Sequence, residues 1–188
     1  MSKHPASLIL IAVLAASGVL QACAPANNQP PAAEPATPTA GLPSVSRMGM
    51  GQRTKTSGCV SADGLPDPGC TPGAILAGAT VDQLCRPGYV SSAAEVPQQL
   101  QDEAYAAYGI ASPAPGEYEI DHLVPAELGG SNDIANLWPE SAQSSPGAEE
   151  KAKVEKYLFQ EICAGRITLP QAQNAIATNW VELLSRIP

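Results

Sequence analysis

Residues 24 to 45 hold six prolines among Ala, Thr, Asn and Gln, and this stretch constrains what the chain can fold into more than any other feature. Proline fixes φ and removes a backbone donor, and its neighbours here carry little apolar bulk. The segment therefore favours extended, solvated conformations and builds no core. It reads as a flexible tether over residues 23–55. Residues 56–188 remain, roughly 130 positions, enough for one domain with its own core and too few for two.

Ahead of the tether, Lys3 and His4 precede an apolar run from Leu8 to Leu20 that leads into Leu20-Gln21-Ala22-Cys23. An apolar stretch of thirteen residues is too short to cross a bilayer but suits the h-region of a signal peptide. The ending resembles a bacterial lipobox, which implies a signal peptide over 1–22, lipidation of Cys23 and a membrane-anchored lipoprotein of the cell envelope facing the periplasm or exterior. Ordinary cleavage near Ala22-Cys23-Ala24 is the alternative. Either way the chain leaves the cytoplasm.

Assigning Cys23 to lipid leaves Cys59, Cys70, Cys85 and Cys163, an even number in a compartment where disulfides persist. Four cysteines allow three connectivities. Cys59–Cys70, closing a short Pro/Gly-rich loop, with Cys85–Cys163, tying an early segment to a late helix, is the favoured one; zinc is the competing reading, and no C-x-x-C pair supports it. Loss of the leader removes Lys3, so nine basic residues face eighteen acidic ones, about −9 in formal charge. Affinity for polyphosphate comes mainly from Lys and Arg displacing counterions, so tight non-specific DNA binding is not expected.

Three helices are legible within the domain. Val96 to Tyr108 carries Leu100, Ala104 and Ala107 at helical spacing before Gly109. A second starts with Ser145 as N-cap and Pro146 at its first position and carries Val154, Tyr157, Leu158 and Ile162 up to Gly165. The third opens on the capping-box pattern Thr168-Leu169-Pro170-Gln171 and carries Ala172, Ile176, Trp180 and Leu184 on one face. Between the first two, Glu117 to Val124 and Ile134 to Trp138 read as short strands cut off by Pro125 and Pro139. Lys151, Lys153 and Lys156 interleave with Glu149, Glu150 and Glu155, the pattern of a solvated helix face.

The densest stretch is YEIDHLVPAELGGSNDIANLW, Tyr118 to Trp138. Its order, Asp121-His122-Leu123-Val124-Pro125, then Gly129-Gly130-Ser131-Asn132-Asp133, then Asn136-Leu137 and a helix, resembles the HNH family of metal-dependent nucleases. Continued through Trp138-Pro139-Glu140, it is similar to a branch of small exported HNH-like bacterial proteins in which a Cys-x-Pro-Gly-Tyr-like segment precedes the motif, here Cys85-Arg86-Pro87-Gly88-Tyr89. The resemblance implies an α+β fold: an HNH-like ββα-metal core, a short two-stranded hairpin plus helix, with flanking helices and disulfide staples.

It also implies a chemistry. Phosphodiester hydrolysis needs a base to activate water and a cation to stabilise charge on the phosphate and the leaving oxygen. By similarity His122 is the base, Asp121 a metal ligand, and Asn136 bonds across the loop to hold the His in orientation. The helix of that branch begins like Ala-His-x-Lys-Asp, whereas this chain has Ala148-Glu149-Glu150-Lys151-Ala152. Glu149 then stands in the second metal position, and an all-oxygen set suits Mg²⁺ or Mn²⁺. Equally, Glu149 and Lys153 form an i,i+4 surface pair. The expectation is metal-dependent cleavage of DNA or RNA, with nucleic acid bound weakly through the metal. The alternative is an envelope lipoprotein that keeps the scaffold as a binding or structural module, and an acidic surface of this kind also suits a basic envelope protein partner.

Overall fold

The two longest apolar stripes of the sequence become its two longest helices. The computed structural model describes residues 50–188; the expected signal peptide, the expected lipidation site Cys23 and the expected tether up to residue 49 lie outside the described residues. Along the chain run α1 (Val81–Leu84), α2 (Gln98–Ala107), β1 (Tyr118–His122), β2 (Leu137–Ser141), α3 (Ala148–Cys163) and α4 (Leu169–Leu184), with two 3₁₀ turns between the strands. The class is α+β, with a two-stranded antiparallel sheet. Among the described residues, no helix is long and apolar enough to cross a membrane.

Val154, Leu158 and Ile162 on α3 and Ala172, Ile176 and Trp180 on α4 are buried in one core, together with Leu123, Val124 and Leu128 from the loop after β1. Spacing of four residues keeps each set on one helix face, so the helices pack along these stripes and the loop is clamped beneath them. Thr168 caps α4 as expected: its hydroxyl accepts the Gln171 N–H and the Gln171 side chain accepts the Thr168 N–H at 2.8 Å. The helix is not continuous. Asn179 has extended angles, φ −167° and ψ 86°, and its side-chain oxygen accepts the Glu182 N–H, recapping the last turn.

Three boundaries differ from the sequence pattern. α3 starts at Ala148 with Gly147 as N-cap, not Ser145. The turn Ser141–Ser144 presses the Ser144 carbonyl so close to Gly147 that a Cβ there would lie 2.5 Å from it, and the Gly147 N–H is taken by the Glu150 carboxylate. Ile134–Asn136 is a 3₁₀ turn and β2 runs on through Pro139, which lies opposite Ile120. Both strands of a two-stranded ribbon are edges, where a missing N–H is tolerated. The domain also begins before residue 56, because the N–H groups of Gly51, Thr54 and Lys55 donate to the carbonyls of Gly73 and Gly69.

The disulfides are Cys59–Cys70 and Cys85–Cys163. The second fastens the segment after α1 to the last residue of α3, and that segment forms one wall of the cleft described next.

Candidate functional site

β1 ends at His122, and the chain takes fourteen residues to return to β2. That loop has a definite shape because Asn136, fully buried, satisfies its whole amide on backbone groups, three of its four bonds within the loop and one to Ala74. Its oxygen accepts from the N–H groups of Val124 and Ala74, at 2.9 and 3.3 Å. Its nitrogen donates to the carbonyls of Val124 and Ser131, at 3.0 and 2.9 Å. Gly129 has a positive φ of 75°, and a Cβ on Gly130 would sit 1.7 Å from the Val124 oxygen. Both glycines are therefore steric requirements of this turn.

Asn136 bonds across the loop as expected, but its four bonds all go to backbone and none reaches His122. The ring is held by Asn132 instead: His122 Nε2 lies 2.7 Å from Asn132 Oδ1, and Asn132 Nδ2 donates to the Glu95 carbonyl at 2.7 Å. Since the amide nitrogen is committed to a carbonyl, the amide oxygen must face the ring and accept. The network thus assigns the neutral imidazole proton to Nε2 and leaves the Nδ1 lone pair unused by it.

Asp121 and His122 are neighbours on a strand, whose side chains ordinarily point to opposite faces. β1 ends at this pair, and both line one cleft. Asp121 Oδ2 accepts from Trp138 Nε1 at 3.1 Å and from Lys151 Nζ at 2.9 Å. Lys151 is the unexpected residue. Its side chain is fully buried, and besides Asp121 its ammonium donates to Glu155 Oε1 at 2.5 Å and to the His122 carbonyl at 2.8 Å. Three N–H donors thus meet three oxygens, which is the complete capacity of an ammonium. Burial disfavours the charged form, but the carboxylates of Asp121 and Glu155 outweigh it and raise the Lys151 pKa, so the group is a permanent cation.

Glu140 lies on β2 opposite Glu119, one step along the same face from the Asp121–Trp138 pair. It is 1% exposed, and neither carboxylate oxygen has a hydrogen-bond partner. Burial first, then the charge of Asp121, push its pKa up to about 7, against the pull of Lys151. Burial raises Glu155 as well, with Asp121 and Glu127 adding to it against Lys151.

These residues do not fit the divalent ion that the resemblance implies. Glu149 is exposed and lies two residues from Lys151, about 200° around α3, so the helix turns it away from Asp121. Its expected partner Lys153 instead pairs with Glu150 at 3.4 Å. Asp121 Oδ2 is occupied by the Lys151 ammonium, and among the described residues no group of three or more His, Cys, Asp or Glu side chains is placed to hold a metal. The place beside Asp121 is taken by a cation that belongs to the chain.

Two residues of this arrangement, Lys151 and Glu155, read from sequence as part of a solvated face. The signal against that reading is that Lys151 precedes Val154 by three and Leu158 by seven, which puts a lysine on the buried stripe of α3. Comparison with family models, curated proteins and solved structures finds no match to this chain.

Proposed function

We propose that this chain is an exported, lipid-anchored ββα scaffold of HNH-like descent that acts as a binding module, its partner meeting the cleft at the end of β1, without a metal-dependent nuclease step. The order β1, β2, α3 with Asp-His at the end of β1 supports the descent, and two disulfides support an oxidising compartment. The observation that carries the reading is Lys151: a fully donated, buried ammonium fills the space beside Asp121 where hydrolysis needs an exchangeable cation open to phosphate.

One observation favours hydrolysis of DNA or RNA as a second reading. Asn132 fixes the His122 ring with Nδ1 unused at the mouth of a cleft, as a base that takes a proton from attacking water requires. The deciding experiment is plasmid nicking by the purified protein with Mg²⁺, Mn²⁺ or a chelator, beside His122→Ala. The binding reading expects no nicking above the variant and no rise in thermal stability with either metal. Metal-dependent nicking that His122→Ala abolishes would overturn it.

A further inference from the structure

The cleft at the end of β1 has a volume of about 360 Å³, at the small end of ordinary ligand pockets. Its polar lining is Ser91, Asp121, His122, Glu127 and Glu155, and its apolar wall includes Tyr89 and Phe159; among the described residues no lysine or arginine lines it. Lys151 lies beneath the floor with no exposed surface and all three donors used. It balances one of the three carboxylates that open on the cleft. Glu127 is exposed and makes no ion pair among the described residues, while Asp121 and Glu155 each keep about a quarter of their side-chain surface open, 26% and 24%.

Resting on the binding reading above, we propose that this cleft receives an arginine side chain of a basic partner polypeptide. A guanidinium presents donors in a planar fork to carboxylates and lays its faces on aromatic rings. The cleft offers both kinds of surface in its lining, the carboxylates of Asp121, Glu127 and Glu155 and the rings of Tyr89 and Phe159. A divalent ion lacks its ligand geometry here, and an anion would meet uncompensated negative charge. A polypeptide suits the site better than a lone amine because the negative field extends past the cleft. Glu95, next to the wall residue Ala94, and Glu117 and Glu119 on or before β1 are all exposed, and the chain as a whole carries −8, which steers a basic surface to this face.

The test is fluorescence anisotropy of the purified full chain with a labelled decapeptide of alternating arginine and alanine, at low salt. Its isosteric citrulline counterpart and spermidine are the comparison ligands. Glu127→Gln should weaken the arginine peptide about fivefold, and Glu149→Gln, on the opposite side of α3, should leave it within twofold. The citrulline peptide should not bind measurably. Equal weakening by the two substitutions would mean a diffuse field and no site, and would overturn the proposal, as would citrulline binding or spermidine binding with the same Glu127 dependence. Nicking measured on the same preparations separates the failures: no peptide binding and no nicking removes the arginine site alone, whereas nicking that His122→Ala abolishes removes the binding reading beneath it.

Discussion

Replacing Lys151 by Met keeps the length and most of the volume of the side chain, so the change isolates the ammonium. Three hydrogen bonds are lost, to Asp121, Glu155 and the His122 carbonyl, and with them the one cation that the described residues place inside the cluster. Breaking a buried ion pair by removing one partner costs about 3–5 kcal/mol. Asp121 and Glu155 are each about a quarter exposed, 26% and 24%, so water relieves part of the penalty and the lower figure, about 3 kcal/mol, is expected at neutral pH. For a domain of this size that corresponds to a fall in Tm of roughly 10–15 °C. The loss has a pH signature. Without Lys151 the pull that lowers the pKa values of Glu155 and Glu140 is gone, the carboxylates of the cluster repel one another, and protonation of Glu155 and Glu140 restores stability as pH falls. Thermal unfolding followed by circular dichroism at pH 7.5 and pH 5 should show a smaller deficit at the lower pH. A deficit under about 1 kcal/mol at pH 7.5, or one that does not shrink at pH 5, would refute the assignment of Lys151 as the fixed cation of the site.

Glu140 gives the wild-type protein its own pH dependence. Its folded pKa of about 7, raised from 4.5, means that between those values the unfolded chain gives up a proton the native state keeps. Stability therefore falls as pH rises through this window, by a contribution on the order of 3 kcal/mol, and Glu140→Gln should flatten that fall in urea titrations at pH 4, 6 and 8. Asn136→Ala strands buried groups on Val124, Ala74 and Ser131 and should cost about 3 kcal/mol in chemical denaturation. Asn132→Ala should cost under about 1 kcal/mol but change the His122 tautomer balance, read from imidazole nitrogen shifts by NMR. Paired cysteine-to-alanine replacements should cost about 4 kcal/mol for Cys85–Cys163, with its sequence separation of 78, and about 3 kcal/mol for Cys59–Cys70, with 11, in the chain-entropy account.

What was legible in the sequence is what local spacing determines. The Val154-Leu158-Ile162 and Ala172-Ile176-Trp180 stripes and the Thr168–Gln171 cap depend on residues within a turn or two of each other, and helical period alone identifies them. The roles of Asn132 and Asn136 depend on where a fourteen-residue loop carries each amide, which no local period encodes. Pattern placed Asn136 against the His, and the fold placed Asn132 there. Glu149 lies away from Asp121 for a different reason. Matching it to a motif position takes no account of which face of α3 meets Asp121, and that face is fixed by the buried stripe that also carries Lys151.

A metal held by carboxylates exchanges with solvent and opens coordination positions to a substrate, whereas an ammonium anchored through α3 does neither. Lys151 therefore fixes the inner charge of the Asp121–Glu155 pair and leaves only their outward edges, with Glu127, to meet anything that arrives. On the binding reading proposed above, an inner cation that cannot leave and an acidic mouth suit the capture of a cationic group, with His122 held at the edge by Asn132.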